Sequence, residues 1–474
     1  MSEQRIIYWF RRDLRLADNS ALGAARATGA AILPVFIIDP RLQTGRFASR
    51  NRMAFLLRAL ASLDEQLRAR GGRLLARYGL PHEVLPSLIK TVGASALYFN
   101  RDDSPFARQR DARVCREAGI PVVSFHDSQL VEAMSLLRDN GEPYRVFTPY
   151  FRRWLTIEKR PPVSESQAIR RFFRLADKDS RGILQRALTE TAADATLPAA
   201  SETAAQSRLR AFIDLRIADY DRQRNALTRD PLRPDATSIL SIDLRMGLLS
   251  PRQLYWAART RAKSAACQDK RTGIASWIRQ LAWRDFFAQI LYHYPQALRR
   301  SFRPQYEELA WRNVPAELAA WQAGQTGYPI VDAAMRQLSA TGWMPNRARM
   351  IVASFLCKHL LHHWREGEAH FMRHLLDGDP AANNGGWQWA AGTGCDAQPW
   401  FRIFNPVLQS RKFDAAGLYI RHWLPELREI PDKFIHQPWR MDDAPVAYPP
   451  PLVDLQLGRD RALAAFKAAT SSAG

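Results

Sequence analysis

The chain has 474 residues, 46% of them hydrophobic, which is enough for two or three domains that each bury a core. Lysine and arginine outnumber aspartate and glutamate by 68 to 47, which gives a net charge of +21. This charge favours a polyanionic partner such as nucleic acid, although a basic enzyme from an arginine-rich genome would carry a similar charge. Because the N-terminus is charged and no run of about 18 apolar residues occurs, we expect neither a secretory signal nor a transmembrane helix.

The first part of the chain alternates short apolar runs with helical patterns. The runs read as buried strands at 5–10, 30–38, 73–79, 95–100 and 121–127. Apolar residues at helical spacing lie between them, for example in 51–72, so we expect a doubly wound α/β domain with a parallel sheet over residues 1–130. No G-x-G-x-x-G follows the first strand, and no phosphate-binding P-loop sequence occurs.

The pattern changes after residue 130. Residues 131–205 are rich in Ala, Ser, Thr and Pro towards their end and predict an interdomain linker. Helical patterns dominate 206–440, which predicts an all-α domain that holds most of the tryptophans, and 441–474 reads as a C-terminal tail. The four cysteines are far apart and include no C-x-x-C pair, so neither a zinc site nor a disulfide framework is indicated and a reducing cytoplasm is expected.

Two stretches of the helical part combine residue types that suit a cofactor. "TSILS" (237–241) places hydroxyls ahead of a helical pattern, where they cap a helix or bind a phosphate, capping being the commoner role. "WIRQLAWRDFF" places Trp277, Gln280 and Arg284 on one helical face. A glutamine and an arginine among aromatic residues are unusual for a simple core.

A third region carries closely spaced tryptophans and polar residues. "TGWMPNRARM" spans 341–350, and "LLDGDPAANNGGWQW" spans 375–389 and ends in Trp387 and Trp389. Taken singly, each stretch fits an ordinary core, because tryptophan is a large core residue.

Taken together, these stretches resemble the DNA photolyase/cryptochrome flavoproteins over nearly the whole chain. The segments that carry the resemblance occur in the family's order: "WFRRDLRLADN", "YRVFTPYFRRW", "TSILS", "WRDFF", "GYPIVDAAMRQLSATGWM", "LLDGDPAANNGGWQWAAGTG" and "WFRIFNPVLQSRKFD". "NRARM" and "NNGGWQW" are similar to the microbial photolyases that repair cyclobutane pyrimidine dimers. The resemblance implies that the helical domain binds FAD and that no metal is needed.

The resemblance also implies which residues hold the flavin. The matching positions are Tyr220, Thr237, Ser238, Leu240, Ser241, Trp277, Gln280, Arg284, Arg349, Asp377, Asp379 and Asn383. The segment 237–241 matches the phosphate-binding part of the family's site, and Asn383 matches the residue that faces flavin N5.

The activity that the resemblance implies is light-dependent repair of UV-damaged DNA. Excited reduced flavin lends an electron to a dimer that is flipped out of the duplex, as in other base-flipping enzymes. The residues that match family members in contact with the lesion or the DNA are Trp283, Asn346, Arg347, Met350 and Trp389, with Gln280 and Asn346 nearest the chemistry.

Three tryptophans match the family's electron route to the flavin. Trp387 would be nearest the flavin, and electrons would reach it from Trp311 through Trp364. Their spacing alone would equally suit core residues.

Two positions depart from the family's pattern. Dimer-repairing relatives carry Glu where this chain has Gln280, and usually His where it has Pro345. Photolyases for the (6-4) photoproduct also have Gln at the position of Gln280, but they need two histidines where this chain has Asn346 and Met350. We therefore expect repair of cyclobutane dimers with reduced yield and negligible repair of (6-4) photoproducts. The alternatives are a cryptochrome-like light sensor and, more distantly, a basic tryptophan-rich binding protein.

The antenna pigment that the family often carries is left open by the sequence. The loop 100–111 has Ala107 where folate-binding members have an acidic residue, so a folate, a deazaflavin or no pigment all stay possible. We expect a monomer with UV-damaged DNA as its partner and no membrane association.

Overall fold

The structure divides into two compact units. The computed structural model describes residues 4–163, 171–175, 179–191, 193, 195–227, 237–265, 267–442 and 447–471. The first unit comprises Met1–Ala193, Leu197–Ala218 and Leu240–Pro295, and the second comprises Asp194–Thr196, Asp219–Ile239 and Gln296–Gly474. Among the described residues, no helix has the length and apolar character needed to cross a membrane.

A parallel sheet lies at the centre of the first unit. Its strands are β1 (Arg5–Phe10), β2 (Ala31–Ile38), β3 (Leu75–Tyr78), β4 (Ala96–Asn100) and β5 (Val122–Phe125). Within the described residues they are ordered β3-β2-β1-β4-β5, with Ile6 of β1 opposite Ile32 of β2 and Ala96 of β4. Strands β1 and β2 are buried along nearly their whole length, as expected for a sheet covered on both faces. The predicted α/β fold with a parallel sheet is confirmed.

The α-helices are numbered in chain order. They are α1 (Ser20–Ala27), α2 (Arg50–Ala69), α3 (Pro81–Val92), α4 (Pro105–Glu117), α5 (Phe147–Thr156), α6 (Asp179–Glu190), α7 (Glu202–Leu215), α8 (Tyr220–Gln223), α9 (Ser241–Met246), α10 (Pro251–Lys263), α11 (Gln268–His293), α12 (Pro315–Ala323), α13 (Pro329–Thr341), α14 (Asn346–Ser354), α15 (Trp364–His374), α16 (Pro380–Ala391), α17 (Pro406–Phe413), α18 (Leu418–Trp423) and α19 (Leu455–Ser471). A π-helical turn, Phe355–His359, follows α14 directly.

The segment "WFRRDLRLADN" forms a buried polar network at the carboxyl end of β1. The Tyr8 hydroxyl donates to Asp13 (2.6 Å) and Asn19 (2.7 Å), and the Asn100 amide donates to the same Asp13 carboxylate (2.7 Å). Asn19 also caps α1 by accepting from Leu22 N–H (3.1 Å). The polar residues of this motif therefore fix the first crossover of the sheet.

The second unit is helical, as predicted, and its core is built around α13 to α16. Trp321, Trp364 and Trp387 are buried there among aliphatic residues of the same cluster. The segment predicted as a C-terminal tail contains α19, whose Phe466 is fully buried and packs against Tyr306, with ring centroids 5.4 Å apart. Helix α19 is thus packed into the second unit.

The region predicted as a linker also contains regular structure. Helices α5, α6 and α7 begin within 131–205, and α7 starts behind Ser201, whose hydroxyl accepts from Ala204 N–H (3.1 Å). Its Ala-rich sequence favours helix, and Ala205 and Phe212 are fully buried on one face. The Ala- and Thr-rich composition that suggested a flexible connection is therefore helical from Glu202 onward.

Candidate functional site

The candidate residues fall into two groups, one in each unit. The first unit carries Leu240, Ser241, Trp277, Gln280, Trp283 and Arg284, and the second carries Tyr220, Thr237, Ser238, Trp311, Asn346, Arg347, Arg349, Met350, Trp364, Asp377, Asp379, Asn383, Trp387 and Trp389.

The segment 237–241 forms a strained turn that offers a hydroxyl. Ile239 has a φ of +52°, which is costly for a β-branched residue and persists only where the surroundings hold it. The Thr237 hydroxyl is buried and has no hydrogen-bond partner among the described residues. A buried hydroxyl without a partner is rare in a protein by itself, and a phosphate oxygen is a group that it could donate to.

Helix α11 presents the polar residues that the sequence placed on one face. The Gln280 side chain is half-buried, and its amide nitrogen donates to the Ser276 carbonyl (3.2 Å) one turn earlier. Arg284 donates to the Ser128 carbonyl. Trp277 is buried against Phe212, with ring centroids 5.3 Å apart. Because the amide nitrogen of Gln280 is engaged in this bond, its carbonyl oxygen is the group left to accept a hydrogen bond from a ligand.

Trp283 is held as one layer of an aromatic stack. Its ring lies parallel to Phe147 of α5, with centroids 3.7 Å apart and an interplanar angle of 6°, while Phe286 meets it edge-on at 5.6 Å. Trp283 is only half-buried. An indole that is braced on one side and accessible on another suits stacking with a planar ligand such as a base.

In the second unit, Arg349 of α14 forms an ion pair with Asp377. Its Nη2 lies 2.9 Å and 3.2 Å from the two carboxylate oxygens, and its Nε donates to the Met344 carbonyl (2.8 Å). The Nη2 atom is shared between the two carboxylate oxygens while Nε binds the backbone, and together these charge-assisted bonds orient the guanidinium. The pair combines a cation and a carboxylate beside the start of α16, which suits recognition of a polar ring edge.

The start of α16 fixes two further candidates. Asp379 is the N-cap and accepts from the backbone N–H groups of Ala381 (3.0 Å) and Ala382 (3.2 Å), so it has a structural role in addition to any ligand contact. The Asn383 amide nitrogen donates to the Glu368 carbonyl (3.0 Å). Since no described residue donates to its Oδ1, Asn383 presents a hydrogen-bond acceptor.

Helix α14 begins at Asn346, directly after Pro345 in the N-cap position. Proline fits here because a helix start leaves its N–H unpaired in any case. Asn346 is exposed and lies one turn from half-buried Met350, with its Nδ2 3.7 Å from the Met350 sulfur. The two residues that replace the histidines of (6-4) enzymes therefore lie side by side, and neither can act as a proton donor at neutral pH.

Arg347 is also held in place by neighbouring side chains. Its Nε and Nη2 donate to Asn225 Oδ1 at 3.2 Å and 2.9 Å, and its guanidinium lies 4.5 Å from the centre of the Phe413 ring. Burial, and then the neighbouring Arg224, lowers the pKa of Arg347 from its ordinary value, yet an arginine stays charged. A fixed, half-buried cation is suited to a phosphate.

The three tryptophans of the expected electron route share one feature. The indole Nε1 atoms of Trp311, Trp364 and Trp387 are buried and have no hydrogen-bond partner among the described residues. Trp154 and Trp321, by contrast, donate to an acceptor at 3.0 Å and 3.2 Å. The indole Nε1 of Trp423, which lies outside the expected route, is also buried without a partner among the described residues, so this feature is compatible with the route but does not single it out. An oxidised indole with no acceptor keeps its proton, and the positive charge stays mobile.

Three supporting contacts could not be derived from the sequence. Phe147 braces Trp283, and Asn225 tethers Arg347, from positions more than one hundred residues away. Gly367 of α15 lies directly under the Trp387 ring: a Cβ at this position would fall 2.0 Å from Cη2 of the indole. The glycine inside the helical pattern "WREGEAHF" was the one available signal, because such a glycine often marks close packing.

The chain matches two family models, one near each end of the sequence. One is described as DNA photolyase and matches residues 6–167, and the other is described as FAD binding domain of DNA photolyase and matches residues 277–468. The deoxyribodipyrimidine photo-lyase of Synechococcus sp. is 40% identical over 464 residues, covering 95% of this chain and 94% of the relative. That of Escherichia coli is 40% identical over 479 residues, covering 98% of each.

Solved structures show the same similarity. A class III photolyase from Agrobacterium tumefaciens has a TM-score of 0.87 at 35% identity and covers 99% of this chain and 98% of its own. An archaeal photolyase from Sulfolobus tokodaii, solved with two FAD molecules, has a TM-score of 0.85 at 32% identity, covering 98% and 100%. A cryptochrome from Synechocystis sp. has a TM-score of 0.84 at 30% identity, covering 97% and 99%.

Proposed function

This chain belongs to the DNA photolyase family, and on that basis we propose that it is a lyase that repairs cyclobutane pyrimidine dimers in DNA, using light and bound FAD. The observation that carries the proposal is full-length similarity, at about 40% identity, to proteins named deoxyribodipyrimidine photo-lyase. The residues that match the family's flavin and lesion positions support the proposal, apart from Gln280 and Pro345, which depart from the pattern of dimer-repairing relatives.

The local geometry fits a flavin dinucleotide. The unpartnered Thr237 hydroxyl and the strained turn around Ile239 support a phosphate contact. Arg349, held by Asp377, would place a fixed positive charge near an electron-rich ring edge, and Asn383 would accept a hydrogen bond through Oδ1. Reduced FAD, when bound, supplies the electron that splits the dimer. The protein residues orient it and hold its charge.

The similarity to photolyases suggests further members of the flavin site. Tyr220 has a pKa raised to about 12 by burial, so its hydroxyl keeps its proton and can donate. The residues that complete the set are Ser238, Leu240, Ser241, Trp277, Gln280, Arg284 and Asp379.

The DNA contacts rest on aromatic and cationic groups. Trp283, braced by Phe147, and the half-buried Trp389 would stack on the flipped bases, where stacking contributes about 1–3 kcal/mol per base. Arg347 would bind a phosphate beside the lesion, with Asn346 and Met350 lining the pocket. The net charge of +21 would add affinity that does not depend on sequence and weakens with salt.

Trp311, Trp364 and Trp387 would carry electrons inward to keep the flavin reduced. Trp364 and Trp387 belong to one buried core cluster, and Trp311 packs against its edge. Because their N–H groups have no acceptor among the described residues, an oxidised indole would keep its proton, and its positive charge could pass to the next tryptophan.

A second function, blue-light sensing with little repair, is favoured by one observation. Gln280 stands where dimer-repairing relatives carry Glu, and a glutamine cannot supply a proton. The structural similarity to a Synechocystis cryptochrome, at 30% identity, is compatible with that function. The two functions differ in one outcome, which is whether light converts a bound dimer into two thymines.

We further propose a monomer that works in the cytoplasm, in line with free cysteines at all four positions. An antenna pigment is compatible with the fold, and the Sulfolobus tokodaii structure contains a second FAD. Ala107 is buried in the first turn of α4 and offers no carboxylate, so a folate held by an acidic residue at this position is not proposed.

Damage-selective binding tests the DNA part of the proposal. The purified protein should show flavin absorption bands and bind a duplex with one thymine dimer more tightly than the intact duplex, with both affinities falling steeply as salt rises. Trp389→Ala should reduce the preference for damage, because it removes a stacking surface. Equal affinity for both duplexes at every salt concentration would contradict a repair function.

A further inference from the structure

An imidazole ring contacts two of the three tryptophans of the proposed electron route. The His363 ring centroid lies 5.2 Å from that of Trp311, at an interplanar angle of 42°, and 5.6 Å from that of Trp364, at 40°. Trp364 is fully buried, whereas His363 and Trp311 are half-buried. His363 therefore lies in contact with both the middle and the outer indole.

The backbone around these rings is locked by two reciprocal hydrogen bonds. Arg312 N–H donates to the Leu361 carbonyl (2.9 Å), and His363 N–H donates to Asn313 Oδ1 (3.0 Å). Asn313 and Leu361 both have positive φ, +51° and +54°. Left-handed backbone at a leucine costs free energy and clusters at functional positions, so the fold maintains this pairing of the two segments at a cost.

The same histidine caps α15, and this fixes its tautomer. His363 Nδ1 accepts from Arg365 N–H (3.1 Å), so Nδ1 carries no proton and the neutral ring is protonated at Nε2. A proton on Nδ1 would break the cap and place a positive charge at a helix N-terminus, which the helix dipole disfavours.

Charged groups surround this position from both segments. Arg365 and Glu366 lie in the first turn of α15, and on the facing segment Arg312 pairs with Glu317 at 2.9 Å. The neighbouring His362 is buried, with its Nε2 3.6 Å from Glu317, and burial lowers its pKa. Arg312 is compensated by Glu317, and a neutral ring between the two indoles is the arrangement that the cap selects.

We propose that His363 is a positioning residue that couples Trp311 to Trp364 through a neutral ring, a role that rests on the proposed function of these tryptophans. In the step concerned, Trp311 loses one electron and the oxidised Trp364 regains one. His363 is neither oxidised nor reduced, and no proton moves, because neither indole N–H has an acceptor among the described residues. An imidazolium in the same place would repel the positive charge on either indole and slow the step.

The test separates the ring from the cap. His363→Asn keeps a good N-cap acceptor but removes the ring, and His363→Phe keeps a ring but removes the cap. In transient absorption, the initial charge separation should be unchanged in both variants. The yield of long-lived indole radical should fall at least tenfold in His363→Asn and should stay within about threefold of wild type in His363→Phe. An unchanged long-lived yield in His363→Asn would overturn the proposal.

Two further readouts exclude a merely structural role. Long-range ¹H–¹⁵N spectra of the protein without light should show His363 neutral and protonated at Nε2, and the opposite tautomer would overturn the proposal. Lowering the pH until the ring protonates should reduce the long-lived yield in wild type but not in His363→Phe, and a parallel fall in both would also contradict it.

Chemically reduced protein distinguishes this inference from the proposed function. Dimer repair by pre-reduced wild type and pre-reduced His363→Asn should be equal, because the flavin then needs no electron from Trp311. If repair is present and indole radicals form in wild type, yet His363→Asn behaves like wild type in every assay, then only the role of His363 is wrong. If wild type itself neither repairs nor forms indole radicals, the proposed function fails first.

Discussion

Adding one methyl group at Gly367 should displace Trp387. A Cβ at this position would lie 2.0 Å, 2.3 Å and 2.6 Å from Cη2, Cζ3 and Cζ2 of the indole, all in its buried six-membered ring. Carbon atoms pack at about 3.5–4.0 Å, so the ring must move by roughly 1.5 Å or the two helices must separate. Overpacking of this kind costs about 1–3 kcal/mol, which lowers the melting temperature of a chain of this size by roughly 1–3 °C.

Gly386→Ala is the matched control. Gly386 lies in the neighbouring helix α16 and is exposed, and a Cβ at this position would meet no atom within 4 Å, so alanine should be neutral or stabilise by about 0.5–1 kcal/mol. Thermal unfolding followed by far-UV circular dichroism, at saturating FAD, compares the two variants. In the Gly367→Ala background, Trp387→Phe should recover part of the lost stability, because a smaller ring relieves the clash. Equal stability of the two alanine variants, or no such recovery, would refute the packing argument.

Four shorter predictions concern function and pH. Trp387→Phe should slow light-driven flavin reduction at least tenfold while repair by pre-reduced protein continues; an unchanged reduction rate would show that electrons take another route. Arg347→Ala should weaken binding to damaged duplex by about 1–3 kcal/mol, the range expected for loss of a charged hydrogen bond, and should leave the flavin spectrum unaltered. Equal affinity of the variant and the wild type would contradict the phosphate contact. Gln280→Glu should raise the number of dimers split per absorbed photon, although the carboxylate loses the bond to Ser276, and a lower yield would count against the assigned role. Burial lowers the pKa of Lys358 from 10.5 to about 7, so between these pH values the unfolded chain binds more protons than the folded chain. The free energy of unfolding should therefore rise from pH 7 to 10. Urea unfolding of Lys358→Met should show a smaller rise, and an unchanged dependence on pH would mean that other groups cause it.

Much of the fold could be predicted because its signals are local. The run "RIIYWF" coincides with β1, and the other four apolar runs each contain their strand with one to three extra residues. The Ala- and Ser-rich stretches around α7 and the C-terminal helix α19 suit both a linker and a packed helix, so the start of α7 and the packing of both helices were harder to predict than their helical patterns. What decides between them is burial of residues such as Phe212 and Phe466 against distant parts of their units, which no local pattern reveals.

The candidate site likewise has features that the sequence suggests and features that depend on the folded structure. Arg349, Asp377 and the tryptophans were implied only by the resemblance to photolyases, since their spacing alone suits core residues, and the similarity to photolyases supports these positions as a proposal. The sequence could not indicate that Asp379 caps α16 with its own carboxylate, or that Gln280 uses its amide nitrogen on its own helix. Those contacts depend on side-chain rotamers, which are set by packing rather than by spacing.

The central claim is tested most directly by light-dependent repair of one defined lesion. The protein, with its FAD fully reduced, is mixed anaerobically with an oligonucleotide that carries a single thymine cyclobutane dimer, and the products are separated by chromatography after blue light or darkness. The account predicts conversion of the dimer into two thymines in the light only, over several turnovers, with no conversion of a (6-4) photoproduct under the same conditions. An illuminated, fully reduced protein that leaves the cyclobutane dimer intact would contradict it.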